Sequence, residues 1–247
     1  MKLIQLLNLY LFFLICLTLA VLNSCKKDDI KYGENVIDID GNKYTTIIIG
    51  NQEWMAENLR TTKYNDGTDI PTGHTDEEWS NLSSGAFAIY AHSKVDDLSN
   101  DAEVVKAYGI LYNWYAVDTD ILCPIGWQVP TEEDWANLTD FVTTQTFWGV
   151  NNAGGKLKST RTEPDKHPRW ESPNVSATDK YGFSAFPAGR RSDNGGFGGI
   201  NRFGFWWSST RSGAVSASIR YIESKYVSFS DLTDNMGVGL SIRCMKK

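Results

Sequence analysis

Only two of the four cysteines in this chain, Cys123 and Cys244, lie beyond the first 25 residues, and the state of that pair limits every fold open to it. The chain starts with Lys2 and an almost wholly apolar run from Leu3 to Leu22, the charged and apolar parts of a secretory signal. Export puts the rest of the protein in an oxidising compartment, where an even pair of cysteines reads as a disulfide. A Cys123–Cys244 bridge would tie the middle of the chain to its last strand. The chain-entropy model assigns a loop of that size roughly 4–5 kcal/mol. The other reading of the same pair is two free buried thiols.

The apolar run ends in Leu22-Asn23-Ser24-Cys25. A small residue before a cysteine, with an apolar residue three before it, resembles the bacterial lipobox. The expectation is a lipoprotein signal peptide over residues 1–24, cleavage after Ser24, diacylation of the Cys25 thiol and a lipidated tether over residues 25–34; two acyl chains anchor a protein stably. An ordinary spanning helix is the competing reading, because the run approaches the roughly 20 apolar residues that one needs. Lys26-Lys27-Asp28-Asp29 resembles the surface-export signal of lipoproteins from Bacteroidetes-type bacteria, against the plainer reading of a solvated tether. The expected place is the outer membrane, facing the cell surface, with the membrane a partner through the lipid anchor.

Residues 25–247 suit one large domain or two small ones. The formal charge of −6 is spread without a basic block, which argues against nucleic acid as a partner. Aromatic residues make up 13% of the chain and there are 21 glycines. Many aromatics and glycines with few long apolar runs point to short strands and long structured loops. The same aromatic content excludes disorder beyond the tether.

Val36 to Ile39 and Tyr44 to Ile49 flank Asp40-Gly41, a strong hairpin signal, and Gly50-Asn51 turns the chain into a third strand at Gln52 to Met55. Residues 60–84 read as loop with a short helix at Asp76 to Leu82. Gly85 to Ala91 reads as a strand, and Tyr108 to Val117 as helix or strand. The clearest helix starts at Thr131, where Asp134 completes a capping box and Glu132, Glu133 and Asp134 suit the helix dipole. Trp135, Leu138, Phe141 and Val142 give it one apolar face, ending near Thr144. Residues 149–205 are a long loop region rich in Gly, Pro, Asn and Ser. An antiparallel meander of short strands follows at Phe205 to Ser209, Ala217 to Ile222, Tyr226 to Phe229 and Gly237 to Cys244.

Gly50 to Leu59 resembles the opening motif of the Fibrobacter succinogenes major paralogous domain. Tyr108 to Val117, Cys123 to Trp135, Ala153 to Lys156, Trp206 to Thr210 and Ser241 to Cys244 follow in family order, so the likeness covers residues 35–247. That family occurs in secreted and lipid-anchored proteins of Bacteroidetes and Fibrobacter and has no established general activity. It is similar in turn to the C-type-lectin-like fold shared with formylglycine-generating enzymes, whose helix start resembles Val129 to Trp135. The resemblance implies an α+β, C-type-lectin-like domain with short antiparallel sheets, two main helices and long structured loops. The bridge of that fold joins the first helix to the last strand, so a Cys123–Cys244 bridge departs from it.

Formylglycine-type chemistry needs a reactive cysteine pair, and Cys123 and Cys244 are better explained as a structural bridge; no catalytic residue and no enzyme is expected. His74, His92 and His167 lack ligand spacing and read as surface histidines, so no metal and no cofactor is expected. Glu163-Pro164-Asp165 resembles the calcium triplet of lectins, but no Trp-Asn-Asp accompanies it and it precedes the strand it should follow. Loop capping is the better reading of Glu163 and Asp165. There remains the long loop and its exit, where Arg190, Arg191, Asp193, Asn194, Asn201 and Arg202 lie among glycines beside Trp206 and Trp207. Guanidinium and amide groups next to aromatic faces suit recognition of a glycan or of an envelope or host protein. On the competing reading the arginines pin the loop and one of the two tryptophans faces the core. The expected function is non-catalytic binding of an extracellular ligand; the alternative is a structural or assembly role in the envelope or a surface appendage.

Overall fold

The computed structural model describes residues 30–143 and 151–247. The signal run, Cys25, the start of the tether and the expected helix end at Thr144 lie outside the described residues.

Asp40-Gly41 folds β1 (Val36–Ile37) onto β2 (Lys43–Tyr44), with Gly41 at φ +84° and the Asp38 carboxylate accepting the Asp40 and Asn42 backbone N–H groups. β3 (Thr46–Ile49) and β4 (Gln52–Met55) form the second expected hairpin. α1 (Asp76–Ser80) opens on a capping box between Thr75 and Glu78. The expected strand at Gly85 to Ala91 shrinks to β5 (Phe87–Ala88), because the Ala86 N–H is taken by the Asn113 side chain. α2 (Asp101–Tyr108), not foreseen from the sequence, is capped by the Asn100 side chain and stops at Gly109, φ +81°. Tyr108 to Val117 then divides into β6 (Leu111–Tyr112) and α3 (Trp114–Val117), the latter capped by Asn113.

β7 (Trp127–Gln128) leads into α4 (Glu132–Thr143), where the Thr131–Asp134 capping box is present in both directions. Trp135, Leu138 and Val142 of α4 are buried, while Phe141 lies at the edge against Gly50. α5 (Ala153–Leu157), β8 (Ala188–Arg191) and β9 (Phe197–Ile200) punctuate the long loop region. The meander is real but shifted. β10 (Phe203–Arg211) and β11 (Ser216–Glu223) fall where expected, and the third strand is β12 (Ser230–Asn235) rather than Tyr226 to Phe229. Residues 226–229 are held instead by the loop beneath them: the Tyr226 carbonyl accepts from Lys158, the Val227 carbonyl accepts from Gly155, and Phe229 is buried.

Gly237 to Cys244 is not a fourth meander strand. It threads between sheets as extended chain, with single bridges to Arg191, Tyr112 and Trp206, and ends in β13 (Met245–Lys246) of the sheet ordered β3-β4-β13-β7. Its residues from Val238 to Cys244 are buried on both faces, which a one-sided meander strand would not be. Cys244 is joined to Cys123, so the disulfide fastens this central segment to the loop before β7.

The result is an α+β domain of five α-helices and several short antiparallel sheets among the described residues. β10 parts two apolar clusters. Trp207 packs with Tyr112, Trp114, Leu240 and Ile242, and Trp206 packs with Trp54, Trp135, Trp170 and Phe183. Arg243 is fully buried, with its guanidinium on Asn58 and on the carbonyls of Met55, Phe183 and Ser184; burial pushes its pKa down. No helix among the described residues is long and apolar enough to cross a membrane.

Candidate functional site

The structure divides the loop residues singled out by sequence. Trp206 and Trp207 are both buried, on opposite faces of β10. The Trp206 indole N–H donates to Asn58 Oδ1 at 2.9 Å, and that of Trp207 donates to the Tyr112 carbonyl at 2.9 Å. Neither ring reaches solvent, so the expected aromatic contact surface is corrected to core. Arg191 is also inside, 4% exposed. Its guanidinium donates to the carbonyls of Gly195 and His74 and to Asp76 at 3.1 Å, with its Cζ 4.4 Å from the Trp79 ring centre. Gly195 makes this docking fit: it sits at φ +89°, and a Cβ there would lie 2.4 Å from the Asp76 Cα.

Arg190 pairs with Asp234 at 3.1 Å and Arg202 with Glu223 at 2.7 Å. Asn201, left-handed at φ +64°, accepts the Tyr108 hydroxyl proton at 2.6 Å. Asp193 and Asn194 are exposed and line a depression of about 410 Å³ with Ser80, Leu82, Tyr115 and Val215. Of the Glu163-Pro164-Asp165 triplet, Asp165 takes the Thr162 N–H at 3.2 Å, the capping role expected for it, and Glu163 is exposed.

A larger cleft of about 710 Å³ lies between residues 97–107 and 161–169. Lys106, Arg161, Lys166 and Arg169 outnumber Asp97 and Glu103 along its walls. His167 also lines it, and the expectation of a surface histidine fails here: the side chain is 1% exposed. It is buried because α2 ends in Tyr108, whose hydroxyl lies 2.5 Å from His167 Nδ1. With that hydroxyl's proton given to Asn201, the tautomer that completes the network carries its hydrogen on Nδ1 and its lone pair on Nε2. Nε2 is buried without a hydrogen-bond partner among the described residues. A carboxylate oxygen of Asp96 faces it at 3.4 Å. Burial and the Arg169 guanidinium push the His167 pKa down, against the opposing pull of Asp96.

Arg169 organises the acidic side of the cleft. Its Nη2 donates to Asp96 and, at 3.2 Å, to Asp97, and its Nη1 donates to the Asp165 carbonyl at 2.9 Å. One donor atom each from Asp96, Asp97 and His167 lie within 4.8 Å of one another, a set able to hold a metal ion. Sequence reasoning missed this group because only the Asp96-Asp97 pair is local, and its histidine arrives from a distant loop. His92, by contrast, pairs with Asp101 at 2.6 Å.

No curated protein and no solved structure matches the chain. The sequence model of the Fibrobacter succinogenes major domain matches residues 47–246, most of the chain, and with the ordered motifs and the closed Cys123–Cys244 bridge it leaves one conclusion: the protein belongs to the Fibrobacter succinogenes major domain family.

Proposed function

We propose that this protein is a lipid-anchored binding module of the outer membrane, facing the cell surface, that holds an extracellular glycan without acting on it. The observation that carries the binding reading is the cleft of about 710 Å³ with Lys106, Arg161, Lys166 and Arg169 on its walls. Lys106, Arg161 and Lys166, beside an Arg169 already paired with Asp96 and Asp97, suit a ligand bearing carboxylate or sulfate groups, so the glycan of choice is an acidic one. The export signal and the Leu22-Asn23-Ser24-Cys25 junction support the address, with Cys25 as the lipidated residue. A C-type-lectin-like arrangement is proposed for the domain; early hairpins, the long helices α2 and α4 and a late meander support it.

An array of acidic and neutral glycans tests the reading with the purified full chain. Acidic glycans should bind, their neutral counterparts should not, and Lys166→Glu with Lys106→Glu should remove the signal. Equal binding of neutral and acidic glycans, or none of either, overturns it. The address has its own test: Cys25→Ala should abolish lipid labelling, and protease shaving of intact cells should cut the parent protein. A structural or assembly role is the second reading, favoured by β12, an edge strand of the β10-β11-β12 sheet with Leu232 exposed. Co-purification of one envelope complex, with no glycan bound, would select it.

A further inference from the structure

A buried imidazole nitrogen without a partner costs free energy, and native structures leave few such groups. His167 Nε2 is one among the described residues. A carboxylate oxygen of Asp96 lies 3.4 Å from it. With the hydrogen on Nδ1, both facing atoms are acceptors, and a cation between them would satisfy both.

We propose that Asp96, Asp97 and His167 form a binding site for one divalent transition-metal ion of the zinc class. The spacing fits. Zinc bonds of about 2.0–2.2 Å in a tetrahedron put neighbouring donors about 3.3–3.6 Å apart. The Asp96–His167 separation of 3.4 Å falls in that range, and all three donors lie within 4.8 Å of one another. The donor types fit as well. One imidazole and two carboxylates suit a borderline ion, whereas calcium wants six to eight oxygens. Arg169 engages the Oδ2 atoms of both aspartates and leaves Asp96 Oδ1 turned to the histidine. Its single positive charge faces two carboxylates, so one negative charge is left for the ion.

The support around the ligands is built in the way metal sites require. Tyr108 holds the far nitrogen of the imidazole and is itself fixed by Asn201, which sets the ring orientation and the tautomer. Burial of the phenol keeps it neutral by pushing its pKa up. Asp97 and His167 both line the cleft, so the position left open by three protein ligands is reachable by water or by an acidic group. The ion site shares the cleft of the glycan reading and does not depend on it.

The test is a Co²⁺ titration of the purified full chain after chelator treatment, with no glycan present. The expected result is one equivalent of Co²⁺ with the strong visible absorption of a tetrahedral site, displaced by Zn²⁺ and indifferent to Ca²⁺. His167→Gln should abolish it, and Tyr108→Phe should weaken affinity about tenfold, as loss of an outer partner does. Asp97 is largely exposed, so Asp97→Asn keeps the fold even if the histidine variant does not, and it should weaken Co²⁺ binding by at least about tenfold. Absence of the absorption in the parent protein, or the same absorption in Asp97→Asn and His167→Gln, overturns the site and leaves an arginine–carboxylate cluster. A failed titration leaves the glycan array result standing, and a blank array leaves the titration standing.

Discussion

The glycine-rich loop of residues 190–207 and the cleft around His167 both gather charged and aromatic side chains, and they use them in opposite ways. In the loop, Arg190, Arg191 and Arg202 end on Asp234, Asp76 and Glu223, and both tryptophan N–H groups are taken by the core. In the cleft, Lys106 and Lys166 line open volume, and His167 keeps a buried nitrogen without a hydrogen-bond partner among the described residues. Arginines and aromatics crowded into one stretch of sequence therefore mark a loop that packs on itself. Polar capacity left over beside open volume and carboxylates marks a place where something else can be received.

The harshest way to break that contrast is to remove the loop's inner anchor. Trp207→Ala should cost about 3–5 kcal/mol in a denaturant titration, because it empties the centre of an apolar cluster. Ligand binding per folded molecule should stay as it was. Unchanged stability with lost binding would return Trp207 to the contact surface. Arg191→Ala comes next, at about 2 kcal/mol, for the lost hydrogen bonds to Gly195 and His74 and the carbonyls left without their donor. The penalty stays below the 3–5 kcal/mol typical of a broken buried pair, since Asp76 is exposed and can rehydrate.

What the sequence revealed and what it hid follow the same line. The Thr131–Asp134 capping box, the Asp40-Gly41 turn and the use of Cys123 and Cys244 rest on a few adjacent residues or on simple counting, and each is present. α2 escaped because it buries only Val104 and Tyr108, too short an apolar stripe to register as a period. Trp206 and Trp207 misled because alternation assigns one of two neighbours to solvent, and β10 is covered on both sides. The Asp96–Asp97–His167 group escaped for a third reason. Its members meet only through the packing of Tyr108 and Arg169, which no local pattern records.

Lys158 sharpens the comparison between a satisfied buried group and His167. Its ammonium donates to the carbonyls of Ser224 and Tyr226 at 3.1 and 3.0 Å and lies over Trp170. Burial still pushes its pKa down, from 10.5 to about 8. Between these values the unfolded chain holds a proton that the folded chain has released, so stability rises with pH across that window. Below about pH 8 both states are protonated and the burial penalty is complete. The slope is limited to about 1.4 kcal/mol per pH unit. Unfolding free energy measured from pH 8 to 10 should therefore climb by about 1 kcal/mol or more relative to Lys158→Met, which carries no such proton. A flat difference between the two proteins would mean that the carbonyls hold the charge without strain.

The smallest expected effect tests whether any part of the loop is still a receiving surface. Asp193 and Asn194 are its exposed tip, beside the depression of about 410 Å³. Among the described residues the Asn194 side chain accepts the Gly196 N–H at 3.2 Å and nothing else, so Asp193→Ala with Asn194→Ala should change stability by less than about 0.5 kcal/mol. Binding of an acidic glycan should also be unchanged, because Asp193 repels the charge that Lys106 and Lys166 attract. Array binding that falls in the double alanine variant and survives Lys166→Glu would reverse the assignment. The ligand would then sit on the loop, and the cleft would be left to its metal.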